Sequence, residues 1–259
     1  MKNKNDNNEE KKEDNNEDYK NENLQNISIN NSLYKIEKIK DNILNDDINH
    51  KVIIVGDSSV GKTSLSIRIT KDQYFQNQNA TIGFDIFNYI AKINDLIIKL
   101  QIWDTCGLEE FSTCTSSLYK NSSLAIIVYA INNRDSFENV ERWANLIKLN
   151  AKPETLIFVV GNKTDLEKER KVSKEEGEKL REKNLFNFFI ETSAKNNFFV
   201  TELFNQAIIQ LFEQYKEYQN IEKRDSNERI DFSRRKDSLA LKKSNHNNSN
   251  NNNKKYCCF

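Results

Sequence analysis

The sequence has 259 residues with 39 basic and 39 acidic side chains, so its formal net charge is zero and nucleic acid is not a favoured partner. Residues 1–50 form an Asn-rich, low-complexity extension with a net negative charge, whereas residues 217–259 are net positive. Because neither segment has enough apolar residues to offset the entropy lost on ordering, we predict disorder in the first and a flexible tail in the second. A single domain is predicted over residues 51–216.

Cysteine and histidine usage fits neither a disulfide framework nor a zinc site. The four cysteines, Cys106, Cys114, Cys257 and Cys258, lack the spacing of either, and only two histidines accompany them. The sequence also lacks the apolar stretch of a secretory signal and any apolar run as long as a membrane-spanning helix. We therefore expect a reducing, cytosolic setting.

Strands and helices alternate along the predicted domain. Strands are predicted at KVIIVG from Lys51, FDIFNYIAKI, LIIKLQIW, LAIIVYAI, LIFVVG and FNFFIETSA, with Asn94-Asp95 as the turn of an antiparallel hairpin. Helices are predicted at SLSIRITKD, 136–149, 173–183 and 200–215. This order predicts an α/β fold, a six-stranded, mostly parallel sheet with one antiparallel strand and helices on both faces. Ligands of such sheets bind beyond the carboxyl ends of the strands.

A phosphate-binding motif lies between the first predicted strand and helix. GDSSVGKT, from Gly56 to Thr63, fits G-x-x-x-x-G-K-[ST], in which backbone N–H groups and the helix N-terminus face phosphate oxygens. Lys62 would supply charge to the β- and γ-phosphates, and the Thr63 hydroxyl suits magnesium. A chance glycine turn is the alternative, which the flanking elements disfavour. The predicted nucleotide contacts here are Gly56, Asp57, Ser58, Ser59, Val60, Gly61, Lys62, Thr63 and Ser64.

A second motif indicates which base is bound. NKTD, from Asn162 to Asp165, follows a predicted buried strand, so the Asp165 carboxylate can accept hydrogen bonds from the ring N–H and exocyclic amine of guanine. Adenine lacks this pair of donors, and an unpaired buried carboxylate is costly. ETSAK, from Glu191 to Lys195, again follows a strand. A P-loop ATPase or kinase is therefore disfavoured.

The order of the motifs resembles that of a known family. GDSSVGKTSL, ATIGFD, KLQIWDT, TSSLYK, IIVYA, GNKTDL and ETSAK resemble the Ras-like small GTPases, and within them the Rab family, over about residues 51–216. The resemblance implies a P-loop GTPase fold that binds GTP or GDP with Mg²⁺. It also implies that the Ala194 N–H meets the guanine carbonyl oxygen, Asn162 binds the base edge and Lys163 packs over the ring. The remaining implied base contacts are Ser193, Lys195 and Tyr74, with Phe75 as an alternative to Tyr74.

The resemblance also implies a magnesium site and a γ-phosphate sensor. Thr81 resembles the switch I threonine that closes onto magnesium and the γ-phosphate, and Asp104 resembles the acidic residue that holds magnesium through water. With Thr63 these residues form the implied metal set. Gly107 resembles the switch II glycine whose amide senses the γ-phosphate. The implied catalytic positions are Lys62, Thr81, Gly107 and Leu108.

Leu108 departs from the family at the position of the water-orienting glutamine. Leucine has no hydrogen-bonding group, so it cannot align the attacking water, and positioning provides most of the catalysis in phosphoryl transfer. We expect slow intrinsic hydrolysis. An activating protein that supplies both an arginine and a glutamine, as those of this family do, would make the leucine matter less in the cell. The alternative is that the leucine arose by neutral drift in a protein that is switched off by other means.

Further departures fall on the surfaces that partners contact. Glu110 replaces the family's arginine and Cys106 its alanine. Ile86 and Leu118 stand where Rab proteins usually carry aromatic residues, on either side of Trp103, in the surface triad that effectors bind. We expect this triad to select a different set of effectors without changing the fold.

The two ends of the chain carry separate signals. Cys257 and Cys258 resemble the Rab signal for double geranylgeranylation, since Tyr256 excludes a C-a-a-X box, and two chains would anchor stably where one would not. Two free surface thiols are the alternative. Ser32–Ile48 has helical spacing of its apolar residues, which suggests a helix that docks on the domain or on a partner.

Together these features favour a monomeric, Rab-like GTP/GDP switch that recruits effectors in vesicle traffic. The implied partners are an exchange factor, a GTPase-activating protein, effectors, and the prenylation escort and GDP-dissociation inhibitor of the Rab type. The implied location is the cytosolic face of an intracellular membrane, in exchange with the cytosol. The alternative is a module that stays bound to GTP and contacts effectors with negligible turnover, which Leu108 favours.

Overall fold

A computed structural model describes residues 34–39, 46–77, 81–106 and 115–221 of the chain. Its centre is a mixed sheet of seven strands in the order β1-β3-β4-β2-β5-β6-β7. β3 runs antiparallel to both of its neighbours, and the remaining pairs are parallel. The strands are β1 Ile36–Ile39, β2 Ile48–Val55, β3 Phe84–Ile93, β4 Leu96–Thr105, β5 Leu124–Ala130, β6 Leu156–Asn162 and β7 Phe188–Glu191.

Helices connect the parallel strands. The predicted single helix at 136–149 is two helices in the structure, because Asn139 ends the first and precedes the second. Ser173 begins the next helix with a capping box in which it exchanges hydrogen bonds with Glu176. The helices are α1 Lys62–Lys71, α2 Thr115–Tyr119, α3 Arg134–Glu138, α4 Val140–Asn150, α5 Lys174–Asn184 and α6 at 200–221, with a 3₁₀ helix at Thr164–Glu169.

The central strands of the sheet are buried on both faces, which explains their continuous apolar runs. All seven residues of β5 are buried. On one face, Ile53 and Ile127 belong to a core cluster with Trp143 and Ile147 of α4. Successive side chains of a strand alternate in direction, so the neighbouring residues of β2 and β5 point to the opposite face. The α/β prediction with helices on both faces is therefore confirmed.

The seventh strand is the main departure from the predicted fold. Ile36–Ile39 pairs antiparallel with Ile90–Ile93 of β3, where helical spacing had predicted a helix over Ser32–Ile48 and low complexity had predicted disorder. β3 is an edge strand in the predicted six-stranded sheet, and its free N–H and C=O groups favour strand pairing over a local helix. The Lys38 ammonium also donates to the carbonyl oxygens of Ile69 and Thr70 at the end of α1, at 2.6 and 3.0 Å.

The chain divides at Leu211 into two units, and α6 contributes residues 200–211 to the first. Within that part, Val200, Leu203 and Phe204 are buried. Within the described ranges, no helix combines the length and apolarity that crossing a membrane requires. The predicted limits of the extension, domain and tail stay predictions.

Candidate functional site

The phosphate-binding motif forms a loop between β2 and α1 whose two glycines are required by their surroundings. Gly56 has a φ of 137°, and a Cβ on it would collide with the carbonyl oxygen of Val128 on β5. Gly61 has a φ of 100°, and a Cβ there would collide with the Asn162 side chain. Positive φ together with close approach leaves glycine as the residue that fits both positions. The loop is thereby fitted against the carboxyl ends of β5 and β6.

Lys62, the first residue of α1, is folded back over this loop. Its ammonium donates to the carbonyl oxygens of Gly56 at 2.8 Å and Asp57 at 2.7 Å, and the residue is 5 % exposed. Burial lowers the pKa of Lys62 to about 8, although the nearby Asp104 and Asp57 act in the opposite direction. A buried ammonium whose charge is only partly balanced is suited to an anionic ligand.

Three oxygen donors meet beside Lys62. The Thr63 hydroxyl donates to Asp104 Oδ2 at 2.6 Å and lies 2.8 Å from the Thr81 hydroxyl oxygen. Asp104 is fully buried, and burial raises the pKa of its carboxyl to about 6. Its Oδ1 is also buried and has no hydrogen-bond partner among the described residues. Hydroxyl and carboxylate oxygens are the ligands that Mg²⁺ prefers, so this set could hold the ion.

The loop has a second anchor that sequence reasoning missed. Asp57 Oδ2 accepts a hydrogen bond from Asn139 Nδ2 at 2.8 Å, and Asp57 Oδ1 accepts one from Trp143 Nε1 at 2.9 Å. Asn139 lies at the α3–α4 junction and Trp143 in the first turn of α4, more than eighty residues further along the chain. No motif marks Asn139 or Trp143, because their pairing with Asp57 arises only from the parallel order of the strands. The Asp57 side chain therefore helps to hold the phosphate-binding loop in place.

The residues predicted to bind the base, in NKTD and ETSAK, form what we call the base end of the site. Asn162, at the end of β6, is at its centre. The Asn162 amide donates to the Val60 carbonyl oxygen at 2.9 Å, which joins the base end to the phosphate loop. Its Oδ1 accepts from the Thr192 hydroxyl at 3.2 Å and from the Ala194 N–H at 3.3 Å. Asn162 is 1 % exposed. Its side chain is therefore a structural link between three loops.

Asp165 lies beside the loop after β7. Its Oδ1 accepts a hydrogen bond from the Ser193 hydroxyl at 2.6 Å, and its Oδ2 lies 3.9 Å from the Lys195 ammonium. Lys163 has a left-handed backbone with a φ of 71°, and burial lowers the pKa of its ammonium. The structure thus brings the residues of NKTD and ETSAK together, as their positions after neighbouring strands predict.

The remaining predicted site residues lie in several segments of the chain. Tyr74 is half-buried and Phe75 is half-exposed in the segment after α1, and the choice between them for the base stays a prediction. Ser58 and Ser59 are exposed on the loop, and Val60 is buried beneath it. Gly107, Leu108, Cys257 and Cys258 lie outside the described residues.

The predicted effector triad lies on one part of the sheet and the following helix. Ile86 and Trp103 are register partners across β3 and β4, and Leu118 is half-buried on α2. Phe84, which sequence reasoning left out, stacks on Trp103 with ring centroids 5.0 Å apart. Phe84 and Ile86 are 49 % and 45 % exposed. Period-2 alternation from Ile86 could have found Phe84.

Comparison with known proteins agrees with this site. The family model described as the Ras family matches residues 51–213, which is more than half of the chain. The chain belongs to the Ras family. This Ras-family chain is similar to the Ras-related protein RABA6b of Arabidopsis thaliana, with 39 % identity over 163 residues, 63 % of the chain and 71 % of the relative. It is similarly close to RABF2a of the same plant, with 39 % identity over 160 residues, 62 % of the chain and 80 % of the relative.

An animal relative gives the same result. The chain is 43 % identical to the Ras-related protein Rab-13 of Mesocricetus auratus over 155 residues, 60 % of the chain and 76 % of the relative. These relatives carry different Rab names at similar identity. The chain is therefore a Rab-like small GTPase of the Ras family without an assigned subfamily, and GTPase activity is the general property of that family.

Proposed function

We propose that this chain is a membrane-anchored GTP/GDP switch that recruits effectors in vesicle traffic and hydrolyses GTP slowly on its own. The observation that carries the proposal is the meeting of two sets of residues at the carboxyl edge of one sheet. Lys62, Thr63, Thr81 and Asp104 lie at one end, and the Asn162–Asp165 motif lies at the other. One set suits phosphates with a cation, and the other suits guanine.

The residues at the phosphate end fit Mg²⁺. Asp104 Oδ1 has no partner among the described residues, while the Thr63 hydroxyl bonds Asp104 Oδ2 and the Thr81 hydroxyl lies against that of Thr63. These oxygens are hard donors beside a buried ammonium. Thr63 and Thr81 would hold the ion directly, and Asp104 would hold it through water. The ion would neutralise charge on the β- and γ-phosphates.

Thr81 connects this site to the switch. The residue lies three positions before the first residue of β3, and its hydroxyl reaches Thr63 from a different segment of the chain. A contact that closes only on a γ-phosphate would order the segment containing Thr81 in the GTP state and release it in the GDP state. Ile86 and Phe84 follow on the same segment, so the exposed apolar surface with Trp103 would change with the nucleotide.

Our expectation for the intrinsic rate of GTP hydrolysis rests on Leu108. A leucine cannot hydrogen-bond to the attacking water, so the intrinsic rate should be at least about tenfold below that of the corresponding glutamine variant. An activating protein that supplies a glutamine would restore turnover. A second candidate function, a permanently GTP-bound effector module, is favoured by the same residue.

The tail would supply the membrane anchor. Geranylgeranylation of Cys257 and Cys258 would give two lipid chains, which suffice for stable anchoring. The prenylation escort, exchange factor, GTPase-activating protein and GDP-dissociation inhibitor of the Rab type would serve this cycle. The switch would then act on the cytosolic face of an endomembrane or vesicle and return to the cytosol in the GDP state.

Single-turnover hydrolysis of preloaded GTP by the full chain tests the proposal. The wild type is compared with Leu108→Gln and with Leu149→Gln, which makes the same change at a leucine that is 80 % exposed on α4. We expect Leu108→Gln to hydrolyse at least about tenfold faster than wild type and Leu149→Gln to match wild type.

The other outcomes are equally informative. Equal rates for wild type and Leu108→Gln would show that the leucine does not limit turnover. A wild type with no turnover even beside a GTPase-activating protein would favour the permanently bound module. Failure to load GTP at all would contradict the proposed function.

A further inference from the structure

Arg68 occupies a position between the two ends of the site. It lies on α1, six residues after Lys62, which corresponds to about 9 Å along the helix. Its side chain is 13 % exposed. The guanidinium Nε donates to the Ala194 carbonyl oxygen at 2.8 Å, and Nη2 donates to the Lys195 carbonyl oxygen at 3.1 Å. One side chain of the phosphate-binding helix therefore holds two consecutive carbonyls of the base loop.

These two bonds orient the loop. A peptide unit is planar and trans, so a fixed carbonyl also fixes the direction of the N–H in the same unit. Arg68 thus sets the peptide planes on either side of Lys195. The loop is closed at its base by reciprocal backbone bonds between Ser193 and Phe198. Between that closure and the guanidinium, Ala194 and Lys195 have little freedom to turn.

The guanidinium is itself held in place. Nη1 donates to the Asp72 carbonyl oxygen at 3.1 Å and lies 3.3 Å from Asp72 Oδ1, at the end of α1. Asp72 Oδ1 also accepts from Asn197 Nδ2 at 3.4 Å, which is a second link from α1 to the loop. All three nitrogen atoms of the guanidinium, which is a rigid fork, therefore donate hydrogen bonds.

We propose that Arg68 is a positioning residue for base recognition, which couples the phosphate-binding helix to the 193–195 loop and slows release of the guanine nucleotide. The inference rests on the proposed function. Arg68 would not touch the nucleotide. It would act on Ala194, because Arg68 fixes the peptide unit that follows this residue while the Phe198 N–H fixes the carbonyl of the unit before it. The Ala194 N–H, which donates to Asn162 Oδ1 in the structure, would then be held where it can also meet the guanine carbonyl oxygen. Ser193, whose hydroxyl donates to Asp165, is held by the same closure.

The test is the dissociation rate of GDP from the full chain with Mg²⁺, measured for wild type, Arg68→Met and Arg68→Lys. Methionine keeps the apolar stem and removes every donor, whereas lysine keeps a charge that can bond one carbonyl. We expect dissociation about tenfold faster in Arg68→Met, since two charge-assisted hydrogen bonds are lost, and an intermediate rate in Arg68→Lys.

The matched control is Lys38→Met. Lys38 donates to two carbonyls at the end of the same helix, Ile69 and Thr70, but does not reach the base loop. Its GDP dissociation rate should equal that of wild type. Circular dichroism of each variant checks folding, and Arg68→Lys serves as the test if Arg68→Met does not fold.

A second ligand separates positioning from general loosening. The 2-aminopurine analogue of GDP lacks both the carbonyl oxygen that the Ala194 N–H would meet and the ring N–H that would donate to Asp165. Wild type should release this analogue much faster than GDP. The ratio of the two dissociation rates should be smaller in Arg68→Met than in wild type. If Arg68→Met accelerated the dissociation of GDP and of the analogue by the same factor, or accelerated neither, the positioning role would be overturned. A wild type that does not bind GDP would instead overturn the proposed function.

Discussion

The two ends of the candidate site differ in how their polar groups are satisfied. At the base end, Asn162 makes three hydrogen bonds to two other segments, one to Val60 of the phosphate loop and two to Thr192 and Ala194 after β7. At the phosphate end, Lys62 is buried against carbonyl oxygens, and its pKa is lowered to about 8. Both polar atoms of the Asn162 side chain are thus hydrogen-bonded within the protein, whereas Lys62 carries a buried charge that the protein alone does not fully balance.

This difference separates stability from binding. Hydrogen-bonded polar groups at the base end contribute to folding, since removing one partner leaves others unpaired. Buried charges at the phosphate end oppose folding and are compensated when an oppositely charged ligand binds. Substitutions at the base end should therefore lower the free energy of unfolding without ligand. Substitutions at the phosphate end should instead weaken binding while leaving the free protein as stable or more so.

The largest expected effect is on nucleotide affinity in Lys62→Met. Removing the ammonium leaves phosphate charge unpaired in a buried site, which should weaken GDP binding by two to three orders of magnitude. Isothermal titration calorimetry of GDP with Mg²⁺ measures the change. The control is Lys51→Met, because Lys51 also donates to two carbonyl oxygens, those of Ser117 and Lys120, but outside the site. A loss of affinity in the control as large as in Lys62→Met would contradict the account.

The next effect is on folding in Asn162→Ala. Truncation leaves the Val60 carbonyl, the Thr192 hydroxyl and the Ala194 N–H without this partner, so the free energy of unfolding should fall by about 3 kcal/mol without nucleotide. Urea denaturation measures the change. Asn132→Ala, which removes a 3.4 Å bond to the exposed Glu169, should change stability by less than about 0.5 kcal/mol. An unchanged urea midpoint for Asn162→Ala would contradict the view that the hydrogen bonds of the base end stabilise the fold.

The smallest effect has the opposite sign, in Asp104→Asn. Burial raises the pKa of Asp104 to about 6, above its ordinary value of 3.8, so ionisation of this carboxyl disfavours the folded state. That destabilisation is absent below pH 3.8 and complete above pH 6. Asn keeps an acceptor for Thr63 without the charge. The nucleotide-free variant should therefore gain about 2 kcal/mol at pH 7.5, and the gain should vanish near pH 4.

The register neighbour provides the control for this prediction. Asp85 pairs with Asp104 across β3 and β4 but is exposed. Asp85→Asn should change the free energy of unfolding by less than about 0.5 kcal/mol at either pH. Urea midpoints at pH 7.5 and 4 for both variants measure the difference. A loss of stability in Asp104→Asn at pH 7.5 would contradict the view that the buried charge opposes folding.

Local patterns predicted most of the fold and the residue types of the site. FDIFNYIAKI forms β3 over the same residues, and Asn94, with a φ of 51°, begins the tight turn between Ile93 and Leu96. The motifs at Gly56–Thr63 and Asn162–Asp165 lie at strand ends, as their flanking apolar runs indicate. Such features depend on neighbouring residues, which is why they can be inferred without a structure.

Pairings between distant segments could not be predicted. In the sequence, Arg68 looks like an ordinary polar residue of an amphipathic helix. Its hydrogen-bond partners lie 126 and 127 residues away. Trp143 reads as core, yet its indole N–H reaches Asp57. The strand at Ile36–Ile39 has apolar spacing that suits a helix, and it forms a strand because the edge of β3 offers it backbone partners. In each case tertiary contacts decided between local alternatives.

The central claim is that this site selects a guanine nucleotide together with Mg²⁺. The most direct measurement is titration of the nucleotide-free full chain with GDP and with ADP, each with and without Mg²⁺. The account predicts that GDP binds at least about a thousandfold more tightly than ADP, because guanine offers Asp165 a ring N–H and an exocyclic amine on one edge whereas adenine lacks this pair of donors, and that Mg²⁺ strengthens GDP binding. Equal affinities for the two nucleotides would contradict it.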